Sequence, residues 1–236
     1  MGKEITQALV LIGGTASRLR KDGVAVSETK SFLSFQGRPL LHWTLCALHR
    51  AGIRKLVLSG STAATLYKGS KIIRSVPYVF DRIDYFQDEG LGAHGIPYEL
   101  RYMLDGTFIF ECGHSFSKLR HYQQLCKHML PNSVVFSAYL PHPSNLRQPV
   151  LLQAGRAYYS PLFGHHAVAH PIVADTEYAK SLAGLEFSIH KIISHLSNTQ
   201  RLIYVLSSTA PEFDTKAEMQ SAFEQYKKII TEFATV

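Results

Sequence analysis

A chain of 236 residues can bury one sizeable core but is short for two, and 46% apolar with 18% charged residues excludes a disordered protein. No apolar run approaches the roughly 20 residues of a membrane span, and the short N-terminal run reads as a strand rather than a leader, so a cytoplasmic protein with no membrane partner is expected. A formal charge of +7 points to an anionic partner; the basic residues are scattered and carry no nucleic-acid motif, which favours a small phosphate over nucleic acid.

Ala8 to Ile12 is a short apolar run that reads as a buried strand. It enters Gly13-Gly14-Thr15-Ala16-Ser17-Arg18, a turn poor in side chains. Such a turn either brings backbone N–H groups against a phosphate or simply starts a helix. A loop rich in Gly, Ser, Thr and Lys continues to Lys30. Phe32 to Phe35 predicts a short strand or extended segment, ended by the turn Gln36-Gly37-Arg38-Pro39. From Leu40, the positions Leu41, Thr44, Leu45, Leu48 and Ala51 recur at helical spacing until Gly52 stops the helix. Leu56-Val57-Leu58 is the next strand. Strand, helix and strand in this order predict a right-handed crossover and a parallel sheet.

Val76 to Phe80 is a candidate strand, and Pro97 to Leu104, opening near Gly95, a candidate helix. Thr107-Phe108-Ile109-Phe110 is entirely β-branched or aromatic and predicts a strand. A helix is expected over Phe116 to Met129 and a strand over Ser133 to Leu140. Residues 141–171, rich in Pro, His, Gly and Tyr, read as a β-rich excursion or substrate-side insertion. A helix at Glu186 to Leu196, a strand at Leu202 to Leu206 and a final amphipathic helix from Lys216 to Phe233 complete the series. No repeat or linker divides the chain, so one α/β domain over 1–236 is expected.

Cys46, Cys112 and Cys126 are odd in number and widely spaced, which predicts free thiols in a reducing compartment. His165, His166 and His170 have spacings that suit a metal, but no element puts them on one face; loop or substrate-side histidines are the simpler reading. Ser59-Gly60-Ser61 lacks the flanks of a nucleophile elbow, which excludes that hydrolase type.

The ordered series ALVLIGGTASRLR, SETKSFLSF, QGRPLLHWTL and AGIRKLVLSG resembles the sugar-phosphate nucleotidyltransferase family. Gly13, Gly14 and Arg18 match that family's loop, Lys30 its catalytic-region lysine, and Gly37 and Pro39 its turn, with Arg38 in the usual lysine's place. EGLGAHGIPYELRYML is similar to the segment that approaches base and ribose, and FDTKAEMQSAFEQYKK to the closing helix start, with Asp214 and Thr215 retained. The resemblance implies a three-layer α/β/α sandwich with a mostly parallel mixed central sheet of the nucleotidyltransferase (GT-A-like) type. It also implies nucleotidyl transfer from a nucleoside triphosphate to a sugar 1-phosphate or similar small phosphate, with magnesium as cofactor. Arg18 and Lys30 are then catalytic, and Leu11, Gly13, Gly14, Gln87 and Gly92 bind the nucleotide. Glycines let the main chain approach phosphate oxygens, Arg18 grips two of them with its planar fork, and Lys30 supplies a point charge.

Three features depart from the family pattern. Ala16 replaces a loop glycine, and Thr29 replaces the proline before Lys30. In FIFECGHSF, aligning glycine with glycine puts His114 where the magnesium-binding Asp belongs. Imidazole is a poor substitute for a hard oxygen ligand, so Asp214, with Glu111 or His114 as weaker candidates, is left to hold the metal. The alternative function is a catalytically impaired protein that binds a nucleotide sugar in a regulatory or accessory role.

Overall fold

The computed structural model describes residues 5–14, 16–88, 95–131, 133–140, 149–154, 156–160, 166–182, 189–199, 202–206 and 213–234. The first strand, β1 (Gln7–Leu11), is buried along its whole length: Ala8 to Leu11 are apolar, and Gln7 is paired with the Met103 carbonyl and the Asp105 N–H. It leads through the glycine loop into α1 (Ser17–Lys21), a 3-10 turn at Lys30–Phe32, and a two-stranded ribbon of β2 (Ser34–Phe35) and β3 (Arg38–Pro39). Helix α2 (Leu40–Arg50), β4 (Lys55–Gly60), α3 (Ala63–Ser75) and β5 (Arg82–Gln87) follow. Then come α4 (Ile96–Glu99), β6 (Thr107–Cys112), α5 (Leu119–His128) and β7 (Val134–Tyr139). The second half closes with β8 (Pro149–Gln153), β9 (Arg156–Tyr159), β10 (His166–Asp175), α6 (Thr176–Ser181), α7 (Ile189–Asn198), β11 (Leu202–Leu206) and α8 (Lys216–Ala234).

Among the described residues the main sheet has nine strands in the order β5-β4-β1-β6-β10-β7-β11-β9-β8. β5, β4, β1 and β6 are mutually parallel, as are β7 and β11, while β10 runs antiparallel between β6 and β7. Both faces are covered. Ala8, Val10, Leu56, Leu58 and Ile109 pack towards the layer of α2, α3, α5 and α8. Leu9, Val57, Phe108 and Phe110 pack towards α4, α6 and α7. The structure is thus the expected three-layer sandwich with a mixed sheet.

Several element boundaries differ from expectation, each for a physical reason. Val76 to Phe80 is not a strand; the strand is β5, six residues further on, an exposed edge whose Arg, Asp and Gln hide it from a hydrophobic reading. The helix expected at Pro97 to Leu104 is the single turn of α4, with Leu100 and Leu104 reaching the core from the turns after it. Helix α3 was not anticipated, because its buried stripe includes Thr65 and Gly69 rather than large apolar residues. Phe32 belongs to the 3-10 turn, not to a strand. Residues 166–171 lie in β10 at the centre of the sheet, so they are not part of an excursion.

The end of β6 is a close approach in the core. Gly113 N–H donates to the Leu11 carbonyl at 2.7 Å, and a Cβ at Gly113 would stand 2.8 Å from Ile12 Cγ2 and 3.1 Å from the Leu11 oxygen. Gly113→Ala is therefore expected to lower stability by about 1–3 kcal/mol. Urea denaturation measures it.

Candidate functional site

The glycine loop sits beyond the carboxyl end of β1, where open parallel sheets present their ligand crevice. Gly14 has φ +98°, which a side chain would strain. Ala16 also adopts the left-handed region, at φ 50°, which costs an alanine about 1–2 kcal/mol relative to glycine. α1 then carries Arg18 on its exposed side and Leu19 into the core.

Lys30 arrives by a different route. Arg20 donates to the carbonyls of Val26 at 2.8 Å and Glu28 at 2.9 Å, folding the intervening loop back on α1. Thr29 caps the 3-10 turn by accepting from Ser31 N–H at 3.0 Å, a bond the proline usual at this position cannot make. Lys30 is thereby fixed at the start of the turn.

The third partner comes from the other end of the chain. Thr215 and Glu218 form a reciprocal cap at the start of α8: Glu218 N–H donates to Thr215 Oγ1 at 3.2 Å, and Thr215 N–H to Glu218 Oε2 at 3.1 Å. Lys216 N–H donates to Asp22 Oδ2 at 3.0 Å, which ties this helix start to the end of α1. Asp214 precedes the cap, and its own N–H donates to Glu218 Oε2 at 2.8 Å.

These elements meet at one carboxylate. Arg18 Nη1 lies 3.0 Å from Asp214 Oδ2 and Lys30 Nζ 2.5 Å from Oδ1, and Lys30 also donates to the Phe213 carbonyl. Lys30 and Asp214 are largely shielded, with 14% and 13% of their side chains exposed, whereas Arg18 is 61% exposed. Together with Gly13, Gly14 and His114 they line a cavity of about 260 Å³. His114 stands edge-on to Phe213, with ring centres 5.7 Å apart, and Lys30 Nζ lies 5.3 Å from the Phe213 ring centre.

The other sequence-derived candidates do not join this cluster. Leu11 packs its side chain into the core and does not line the cavity. Gln87 is exposed at the end of β5, two strands from β1. Gly92 and His165 lie outside the described residues. Glu111 is fully buried and turned away from the loop: it accepts from Ser115 Oγ at 2.8 Å, Tyr122 OH at 2.9 Å and Cys112 N–H at 3.0 Å. His170, in β10, approaches Cys112 Sγ through Nδ1 at 3.3 Å, and among the described residues it forms no metal group with His166.

Sequence reasoning missed Asp88. Its carboxylate is buried next to the loop, accepts from Ser59 Oγ at 3.1 Å, and lies 3.6 Å from where a Cβ on Gly13 would stand. The signal was its place directly after β5, a strand that composition concealed.

The donor set does not fit a resident magnesium ion. Among the described residues Asp214 is the one carboxylate lining the cavity, and each of its oxygens already faces a cation. His114 offers nitrogen where magnesium takes oxygen. Among the described residues no group of three acidic, histidine or cysteine side chains is placed to hold a metal.

Residues 8–198 match the model of the MobA-like NTP transferase domain. The chain belongs to that family. Solved structures with the same fold include the inositol-1-phosphate CTP transferase from T. maritima, 16% identical over 98% of both chains with a TM-score of 0.78. HddC from Yersinia pseudotuberculosis is 15% identical over 94% of this chain and 100% of its own, with a TM-score of 0.69. A UDP-glucose pyrophosphorylase complexed with UDP-glucose is 13% identical over 95% and 99%, with a TM-score of 0.70. Among curated proteins no relative matches this NTP transferase domain.

Glu111 gives the domain a testable pH signature. Burial pushes its carboxyl up from 4.5 to about 7, against the opposing effects of His170 and its three hydrogen bonds. Because the folded state holds the proton more tightly than the unfolded chain, this contribution is complete below pH about 4.5 and lost as pH rises through about 7. Relative to Glu111→Gln, the unmodified protein should lose on the order of 2 kcal/mol of stability between pH 5 and 8, read by urea denaturation at both values.

Proposed function

We propose that this domain transfers a nucleotidyl group from a nucleoside triphosphate to a sugar 1-phosphate or similar small phosphate and releases pyrophosphate. The observation that carries the reading is the convergence of Arg18 and Lys30 on a single anion beside a bare backbone loop. That anion is Asp214. A phosphate offers the same paired oxygens to the same fork and ammonium.

The chemistry needs no enzyme nucleophile. An oxygen of the acceptor phosphate attacks the α-phosphorus, a new P–O bond forms, and the bond to the bridging oxygen of the β-phosphate breaks. Pyrophosphate leaves with that electron pair. Two phosphate groups repel on approach, so the task of the site is to gather positive charge and orient the partners. Lys30, shielded and fixed by the 3-10 turn, suits the α-phosphate, where charge redistributes during the step. Arg18, largely in solvent, suits the outer phosphates that depart. Gly13 and Gly14 supply close backbone approach. Magnesium enters on this reading with the triphosphate, as part of the substrate. A triphosphate substrate and three cysteines without a disulfide support a cytoplasmic setting.

Pyrophosphate release tests this directly, using a panel of triphosphates against sugar 1-phosphates and inositol 1-phosphate. At least one pairing should turn over. Lys30→Ala should lower kcat/KM by about 10²-fold while the melting temperature moves by only a few degrees. Asp214→Asn, which removes the competing carboxylate, should tighten triphosphate binding by about tenfold in calorimetry. Nucleotide binding without release from any pairing would leave the accessory, non-catalytic reading in its place, one that the single carboxylate among the described residues of the cavity favours.

A further inference from the structure

The oxygens that meet at the phosphate cavity are engaged by the protein's own donors. Asp214 Oδ1 faces Lys30 Nζ at 2.5 Å, and Oδ2 faces Arg18 Nη1 at 3.0 Å. The Phe213 carbonyl also accepts from Lys30, and the His114 carbonyl accepts from Tyr226 OH at 3.4 Å. The Ala16 carbonyl closes the first turn of α1 by accepting from Arg20 N–H at 3.1 Å. Ser17, which also lines the cavity, brings a hydroxyl but no negative charge. Magnesium demands a near-octahedral shell of oxygens at about 2.1 Å, and these groups are spent on cations and N–H or O–H donors instead.

Charge decides between a metal and a bare anion here. Magnesium on either Asp214 oxygen would stand no more than about 5 Å from the cation already on that oxygen. Like charges that close repel strongly, and solvent barely reaches Lys30 and Asp214 to screen them. Asp214 is also unable to carry a metal away from the two cations. Its N–H donates to Glu218 Oε2 at 2.8 Å, and the preceding carbonyl is held by Lys30. A polyphosphate meets the opposite field. Its oxygens suit the guanidinium fork and the ammonium, and both cations attract every unit of its charge. A divalent ion seated on the tail cancels two of those charges and covers oxygens that Arg18 and Lys30 would otherwise take.

We infer that this cavity prefers a bare polyphosphate tail to its magnesium complex: magnesium competes with Arg18 and Lys30 for phosphate oxygens rather than bridging them to the protein. The inference rests on the phosphate seat of the nucleotidyl-transfer reading and adds a form of regulation to it. A triphosphate that enters with magnesium binds less tightly than the bare anion, so free magnesium lowers the occupancy of the site.

Sodium tripolyphosphate, titrated by calorimetry at pH 7.5 and fixed ionic strength, supplies the tail without a nucleoside. It should bind about tenfold more tightly in EDTA than in excess magnesium chloride, and magnesium chloride alone should give no saturable heat. Lys30→Ala, which removes one cation from Asp214, should bring the two conditions to within about threefold of each other. His114→Asp, which adds a carboxylate to the lining, should reverse the order, so that magnesium tightens binding. Equal or tighter binding with magnesium in the unmodified protein, saturable binding of magnesium alone, or an unchanged ratio in both variants would each overturn the inference, and pyrophosphate release would still decide the nucleotidyl-transfer reading. No binding in either buffer would remove the phosphate seat on which both depend.

Discussion

The carboxylate of Asp214, shared between Arg18 and Lys30, holds three distant parts of the chain in one place. Arg18 rides on the helix after the glycine loop, Lys30 on a turn twelve residues later, and Asp214 on the first residues before the last helix. Neither ion pair is a large source of stability. The Arg18 pair is open to solvent and contributes at most about 1 kcal/mol, and a shielded pair gives back much of its attraction in lost hydration. What the pairs provide is position. The capped start of α8, joined to α1 through Asp22, fixes the carboxylate, and the carboxylate fixes the two cations. On the proposed reading a phosphate takes Asp214's place and meets two cations already set side by side.

Behind this arrangement stands the end of β6. Gly113 presses against β1 and against Ser31, the residue after Lys30, so the strand and the lysine turn cannot move independently. Strand alternation then sends neighbouring side chains to opposite faces. Glu111 turns towards Tyr122 and Ser115 on one face, while Cys112 turns towards His170 on the other. A carboxylate within three residues of His114 is thus unable to substitute for an acid at the cavity, because the pleat directs it into the core.

Much of this was legible in the sequence where burial and composition agree. β1, β4, β6 and β11 are apolar runs with both faces covered, and α8 shows its stripe of Tyr226, Ile229 and Phe223 plainly. Arg18, Lys30 and Asp214 were found through the order of motifs, not through any one of them. Illegible elements were those whose partners, rather than residues, define them. β5 is an edge strand held by backbone pairing with β4, and its polar face carries no hydrophobic signal. α3 packs Gly69 against Ile12 and Leu58, a close approach that reads in sequence as a helix breaker. Glu111 misled because residue type says nothing of which way a strand faces, and Asp88 was hidden behind the unrecognised β5.

The departure at His114 gains meaning from the charge of the cavity as a whole. Two cations and one carboxylate leave a net positive seat before any ligand arrives. A second carboxylate in place of His114 would cancel that charge, and a triphosphate would then meet no net attraction unless a divalent ion accompanied the extra acid. On the proposed reading, with His114 there, Asp214 gives up Arg18 and Lys30 to the incoming phosphates. The imidazole and the two basic side chains then act together, because they leave the described part of the cavity positive before a phosphate enters.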